Sequence, residues 1–177
     1  MVVQHELTHC WIVNGKKFFT EEEALDYKKN FKERNTRNIA EEKCVEFLKE
    51  KNILYTRYGF DALFDIPWQK FNMIPEVLRN TPDYMTFYRQ ATLLEAKGCN
   101  DILRIKESDM KSYDWWDKIC PLTVFVYSTA HQEHKLIKWN ILRFIAMWLN
   151  DTDVYPDNKK LYYKIPWDEI DSFKEVK

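Results

Sequence analysis

The chain is poor in glycine and proline, and it lacks long apolar runs. With 3 glycines and 6 prolines among 177 residues, it is neither collagen-like nor a low-complexity disordered chain. No apolar run reaches the roughly 18 residues that a membrane-spanning helix requires. The opening residues MVVQHE lack the basic and apolar regions of a signal peptide. We therefore expect an intracellular, cytoplasmic protein with no membrane partner.

Cysteine spacing excludes two further kinds of site. The 4 cysteines are widely scattered and form no C-x-x-C pair, which is typical of reduced thiols and not of a disulfide framework or a zinc site. The composition, 45% hydrophobic and 31% charged, suits one globular domain with a substantial core. A small attachment to that domain fits within the length.

One segment is strongly basic, although the whole chain has a net charge of −1. Residues 27–38, YKKNFKERNTRN, contain one acidic residue and five basic ones, which are Lys28, Lys29, Lys32, Arg34 and Arg37. Such a run is usually a solvated helix face, and it also suits contacts with the phosphates of a nucleic acid. Both interpretations stay open at this point.

The stretch HELTH at residues 5–9 spells the zinc-peptidase motif H-E-x-x-H. That motif binds zinc on a helix, where His5 and His9 would share one face. The following CWIVNGKKFF instead alternates around an Asn-Gly pair, which predicts a tight hairpin with Trp11 opposite Phe18. This strand context and the lack of a third ligand at the usual spacing make a zinc metallopeptidase the unlikely alternative.

The remaining patterns predict an α/β protein with a mixed sheet. Residues 1–37 form an N-terminal attachment, a β-hairpin plus a helix over about 21–33 that starts at a Thr20–Glu23 capping box. Residues 38–177 form the main domain. Its expected helices cover about 38–51, 108–118 with Ser108 as N-cap, 141–149 and a short one from 166; its expected strands cover 53–59, 82–87, 91–97, 121–128 and 160–165.

Three charged residues lie within the paired strands at 82–87 and 91–97. A turn near residue 89 places Asp83 opposite Glu95, and strand alternation puts Glu95 and Lys97 on one face. Burying such charges without partners is costly, and a Mg²⁺ ion, which prefers carboxylate oxygens and water, would compensate them. A simple cross-strand ion-pair cluster is the alternative. The pair of histidines in HQEH, residues 131–134, predicts a loop and not a metal site.

At these residues the chain resembles the PD-(D/E)XK nuclease superfamily, since it reads PD-x(11)-EAK. The resemblance covers about residues 38–128 and implies a restriction-endonuclease-like α-β-β-β-α-β core. It also implies Mg²⁺-dependent hydrolysis of DNA, with Mn²⁺ as a substitute. Asp83, Glu95 and the carbonyl of Ala96 would bind the metal, and Lys97 would orient the attacking water.

That family often has a further acidic residue on its first core helix. On a helical wheel of residues 39–48, Glu41 borders the apolar stripe, whereas Glu42 and Glu46 point almost to the opposite side. The segment AEEKCVEFL also resembles the opening of junction-resolvase-like nuclease domains. Glu41 is therefore a candidate catalytic residue, and a surface glutamate on a solvated helix is the alternative.

These observations predict a metal-dependent DNA nuclease. The absence of a separate sequence-reading domain favours recognition of DNA structure, with the basic segment and Lys159, Lys160 and Lys164 as phosphate contacts. The alternative is a catalytically inactive nucleic-acid-binding or interaction module on the same fold. The presence of both acidic residues and the lysine argues against it, because an inactive copy would be free to lose one of them. Whether the protein forms a homodimer is left open.

Overall fold

The computed structural model describes residues 3–5, 10–13, 16–18, 20–23, 25, 39–59, 70, 73–155 and 159–171. The chain divides into two compact units, Met1–Asn38 and Ile39–Lys177. None of the helices in these described ranges combines the length and apolarity needed to cross a bilayer.

The first unit contains a three-stranded antiparallel sheet of β1 (Val3–His5), β2 (Cys10–Val13) and β3 (Lys16–Phe18). Trp11 pairs with Phe18, so the register predicted from the Asn-Gly turn is confirmed. His5 lies in a strand and pairs with Cys10. The other residues of the HELTH stretch, 6–9, lie outside the described residues.

A capping box follows the sheet. The Thr20 N–H donates to Glu23 Oε2 at 3.4 Å, and the Glu23 N–H donates to Thr20 Oγ1 at 3.2 Å. Residues 21–23 and 25 are helical. The rest of the helix expected over 21–33, and the five basic residues between 28 and 37, lie outside the described residues.

The second unit carries the remaining elements. Its helices are α1 (Ile39–Glu50), α2 (Glu76–Arg79), α3 (Glu107–Ile119), α4 (Trp139–Leu149) and α5 (Trp167–Asp171). Its strands are β4 (Leu54–Arg57), β5 (Tyr84–Tyr88), β6 (Gln90–Cys99), β7 (Ile102–Lys106), β8 (Leu122–Ser128), β9 (Glu133–Lys138), β10 (Thr152–Val154) and β11 (Leu161–Pro166).

The central sheet is mixed and has the order β4-β5-β6-β8-β9. Strands β6 and β8 are parallel, and the other neighbours are antiparallel. The elements α1, β4, β5, β6, α3 and β8 form the predicted α-β-β-β-α-β core, so the restriction-endonuclease-like fold class is confirmed. The C-terminal extension adds α4, a second sheet of order β10-β11-β7, and α5.

Strand alternation divides the core between the two faces of the central sheet. Leu94 and Ala96 pack with the buried face of α1, which includes Cys44 and Leu48. Leu93 belongs to the other cluster, formed with buried residues of α3 and α4. Because both faces are covered, β6 is buried from Leu93 to Ala96, and Glu95 within it needs polar partners.

Several details differ from the sequence prediction, which also lacked α2 and β10. Strand β7 was not predicted, although Leu103 and Ile105 alternate as buried residues with exposed neighbours. Ser108 is not the N-cap, because β7 runs directly into α3 and the extended Lys106 takes that position. The expected loop at 131–134 is wrong for its second half, since β9 begins at Glu133.

Candidate active site

Asp83 and Glu95 meet where the β5–β6 hairpin opens. The register pairs Tyr84 with Leu94, which places Asp83 opposite Glu95 as predicted. The Asp83 N–H donates to Glu95 Oε2 at 3.3 Å, and the Ala96 N–H donates to Asp83 Oδ2 at 2.9 Å. Each carboxylate is thus held by the main chain of the opposite strand.

Helix α3 and strand β6 each supply a further partner for Glu95, which is 6% exposed. The Tyr113 hydroxyl donates to Glu95 Oε1 at 2.6 Å, and Lys97 Nζ lies 2.9 Å from the same oxygen. Both oxygens of Glu95 therefore have hydrogen-bond donors, which offsets the cost of burying this charge.

Lys97 lies between two acids. Its Nζ is 3.3 Å from Asp109 Oδ2 as well as close to Glu95, and it lies 5.4 Å from the centroid of the Tyr113 ring. Asp109 and Tyr113 are one helical turn apart on α3, so they face the sheet together. The predicted placement of Glu95 and Lys97 on one face is confirmed by their contact.

Burial is the main cause of the raised pKa of Asp83. Desolvation and, next, the negative charge of Glu95 raise the pKa of Asp83 to about 8, against the lowering effects of the Ala96 N–H and Lys97. Burial lowers the pKa of Lys97, but Glu95, Tyr113 and Asp109 together raise it well above the usual value. At neutral pH, Lys97 is charged and Asp83 is largely protonated unless a cation binds.

Glu41 approaches from the other face of the sheet, on α1. Its side chain is 22% exposed and forms an ion pair with Arg57, whereas Glu42 and Glu46 are exposed, so the predicted helix register is confirmed. Arg57 Nη1 also donates to the Tyr84 hydroxyl at 3.2 Å. Glu41 contributes to the raised pKa of Asp83, so its charge acts on the site.

Sequence reasoning missed three participants in this cluster, namely Arg57, Asp109 and Tyr113. The spacing of Asp109 and Tyr113 on a predicted helix was visible in the sequence, because both lie on the same side as the buried Trp116. Their contact with β6 was not visible in the sequence, because it depends on how the helix is rotated about its axis on the sheet. Arg57 was expected to lie in a strand, and no interaction partner was predicted for its side chain.

The other predicted candidates lie elsewhere. Lys164 forms an ion pair with Asp151 at 2.9 Å, and Lys159 and Lys160 lie between β10 and β11. His131 lies 3.2 Å from Asp101, and His134 stacks on Phe125 with ring centroids 5.0 Å apart.

The donor set suits a hard divalent cation better than zinc. In the described part of the chain, no three His, Cys, Asp or Glu side chains are arranged to hold a metal, whereas a structural zinc site has four protein ligands. Mg²⁺ is usually bound through one or two carboxylates and keeps several waters. The paired carboxylates of Asp83 and Glu95, one with a raised pKa, fit that requirement.

No protein-family model matches the chain, and no curated protein matches it. Among solved structures, it is similar to a nuclease from a fusselovirus, with 11% sequence identity and a TM-score of 0.43. The similarity covers 73% of this chain and 79% of the viral chain. At such low identity and TM-score, the function has to be judged from the geometry of the site.

Proposed function

We propose that the protein is a metal-dependent nuclease of the PD-(D/E)XK type that hydrolyses phosphodiester bonds in DNA. The observation that supports this most strongly is the convergence of Asp83, Glu95 and Lys97 at one end of a hairpin between two covered sheet faces. Two acids and a lysine at this position are the groups that a phosphodiester hydrolase needs.

Asp83 and Glu95, with the main-chain carbonyl of Ala96, would hold Mg²⁺ or Mn²⁺. Burial and Glu95 favour the protonated form of the Asp83 carboxyl, so cation binding would release that proton and compensate the second negative charge that then appears. When bound, the cation would neutralise charge that develops on the phosphate during hydrolysis.

Lys97 would act as a fixed positive charge. Because its pKa is raised well above the usual value, it remains an ammonium group and cannot accept a proton from water. Its contacts with Glu95 and Asp109 hold the side chain beside the carboxylates. From there it would orient the attacking water or a phosphate oxygen by donating a hydrogen bond.

Glu41 would influence the site through its charge and through Arg57. The ion pair of Glu41 with Arg57 and the bond from Arg57 to Tyr84 connect α1 to the start of β5. A role for Glu41 at a second cation or at the water is consistent with its effect on Asp83.

The test is a cleavage panel. Linear, single-stranded, branched and plasmid DNA, with RNA for comparison, would be incubated with Mg²⁺, Mn²⁺, Zn²⁺ or a chelator. We expect cleavage of DNA with Mg²⁺ or Mn²⁺ and preference for particular DNA structures. Cleavage that persists with the chelator, or that occurs with RNA alone, would contradict the proposal.

One observation favours a second candidate, a nucleic-acid-binding module without catalysis. Both oxygens of Glu95 already accept hydrogen bonds from Asp83, Tyr113 and Lys97, so a cation has to displace some of these bonds. Binding of branched DNA without cleavage under every metal condition would support this candidate.

A further inference from the structure

A cavity of about 500 Å³ begins one residue beyond Lys97. It is lined by residues 98–102 at the end of β6 and the turn into β7, together with Arg104 and Tyr155. Gly98 lines the cavity with its main chain, since a Cβ at this position would instead meet Ala40 Cβ of α1 at 3.4 Å. A volume of this size is within the range of pockets that bind small organic ligands or parts of larger ones.

Aromatic and basic groups form one wall of the cavity. The Arg104 guanidinium lies 5.3 Å from the centroid of the Tyr162 ring, and the rings of Tyr155 and Tyr162 are 4.4 Å apart. In the described part of the chain, Arg104 takes part in no ion pair within 4.0 Å. Its positive charge is thus available to an anionic ligand, with aromatic faces next to it.

Two main-chain hydrogen bonds hold Tyr155 at this place. The Tyr155 N–H donates to the Lys160 carbonyl at 3.0 Å, and the Lys159 N–H donates to the Tyr155 carbonyl at 2.9 Å. These bonds therefore hold the main chain of Lys159 and Lys160 next to Tyr155. The cavity lining contains one acidic residue, Asp101. Its Oδ1 lies 3.2 Å from His131 Nε2, so His131 is a partner for this carboxylate.

The cavity adjoins the active site, because Gly98 of its lining directly follows Lys97 in β6. Burial raises the pKa of Tyr155, Arg104 lowers it, and Asp109 and Lys97 also contribute, with opposite signs. The phenol is therefore close enough to sense the charges of the active-site cluster. A ligand stacked on Tyr155 would lie beside the position proposed for the cleaved phosphate.

We propose that this cavity binds one nucleoside of a nucleic-acid strand next to Lys97, with its base stacked on Tyr155 and a neighbouring phosphate on Arg104. Stacking on an aromatic ring together with an arginine contact is a common way to hold an unpaired base. The proposal rests on the proposed nuclease function for its choice of ligand. It implies a substrate with an unpaired or frayed nucleotide at the cleavage site.

The first test measures binding without chemistry, with a fluorescein-labelled single-stranded DNA oligonucleotide and Ca²⁺ in place of Mg²⁺. We expect Tyr155→Leu and Arg104→Gln each to weaken binding about tenfold, and Tyr155→Phe to keep most of the affinity. Arg89 and Tyr88 provide matched controls, because Arg89 lies 5.6 Å from the Tyr88 ring at the opposite end of the hairpin. Tyr88→Leu and Arg89→Gln should change binding less than about twofold.

The second test locates the site first in the wild-type protein, where folding of a variant plays no part, and then compares it with Tyr155→Leu. An abasic site would be moved along the oligonucleotide, one position at a time. One position should weaken binding about tenfold in the wild type, and the same position should have little effect in Tyr155→Leu. Equal weakening at every position, or the same loss in wild type and Tyr155→Leu, would overturn the nucleoside site.

The two proposals fail in different ways. If the wild type shows the abasic-site pattern but never cleaves with Mg²⁺ or Mn²⁺, the nucleoside site is supported and the nuclease is contradicted. If it cleaves but the abasic site has no preferred position, the nuclease is supported and the nucleoside site is overturned.

Discussion

At the scale of single residues, Asp83 is a proposed metal ligand with a strongly raised pKa. Its pKa rises from 3.8 to about 8 on folding, because burial and Glu95 disfavour the charged form. A group whose folded pKa is raised in this way binds more protons in the folded state, so its ionisation lowers stability as the pH increases between these two values. By the same linkage, cation affinity should increase with pH up to about 8.

Replacing Asp83 by Asn should therefore stabilise the protein in a pH-dependent way. The amide keeps the shape and still accepts the Ala96 N–H, but it cannot ionise. We expect a clear rise in the unfolding midpoint at about pH 8.5, by roughly 2–4 °C for each kcal/mol recovered, and little change at about pH 4. Thermal unfolding followed by circular dichroism measures both.

The control for Asp83→Asn is Asp153→Asn. The Val154 N–H and the Tyr162 hydroxyl lower the pKa of Asp153, so this substitution should reduce stability at high pH and not increase it. An equal gain at both pH values for Asp83→Asn would show that burial of the charge is not the cause.

Glu41 and Glu42 are neighbours on α1 with different surroundings, and they form a matched pair. Glu41→Gln leaves the partly buried Arg57 without its charged partner, so it should lower the free energy of unfolding by about 1–3 kcal/mol. It should also slow cleavage. Glu42→Gln, at an exposed position, should stay within about 0.5 kcal/mol of the wild type.

Urea denaturation and a single-turnover cleavage assay measure these two effects. Combining Glu41→Gln with Arg57→Gln should cost less than the sum of the single changes, because the two side chains contact each other. Equal effects of Glu41→Gln and Glu42→Gln on cleavage would exclude a part for Glu41 in the chemistry.

At the scale of elements, the β5–β6 hairpin was predictable and the position of α3 was not. Alternation of apolar residues and a turn that closes at Arg89, with φ of 63°, fix which residues face each other in the hairpin. Asp83 and Glu95 follow from that local register. The contacts of Asp109 and Tyr113 with Lys97 and Glu95 depend on helix-to-sheet packing, which no local pattern specifies.

The role of α3 can be tested with substitutions on one helix. Tyr113→Phe and Asp109→Asn remove the groups that hold Glu95 and Lys97 in place, and each should reduce cleavage about 10–100-fold by loosening the site. Glu107→Gln is the control, because Glu107 pairs with Lys111 on the exposed side of the same helix. Its cleavage rate should equal that of the wild type.

A comparison of Asp109→Asn with Glu107→Gln separates positioning of the site from simple loss of structure. Asp109→Asn removes one of the charges that raise the pKa of Lys97, whereas Glu107→Gln leaves them all in place. A loss of activity in Glu107→Gln as large as that in Asp109→Asn would indicate general damage to α3.

At the scale of the whole molecule, the described residues of both hydrophobic clusters lie in the second unit, between Ala40 and Ile170. A chain that begins at Ile39 should therefore fold and unfold cooperatively. We expect it to keep the metal-dependent activity but to bind DNA more weakly and with a smaller salt dependence, because it lacks the basic segment of residues 27–38.

Calorimetry and DNA binding at several salt concentrations measure this truncation. An unchanged salt dependence would show that the five basic residues between 28 and 37 contact no phosphates. Failure of the truncated chain to fold would show that the second unit depends on the first.

The most direct test of the central claim is Mg²⁺-dependent cleavage by the wild type and by Glu95→Ala, both purified in the same way and confirmed as folded. Glu95 contacts three polar groups of the proposed centre, namely Asp83, Lys97 and Tyr113. The account predicts cleavage by the wild type and a loss of at least about a hundredfold in Glu95→Ala, with DNA binding retained. Undiminished cleavage by folded Glu95→Ala would contradict it.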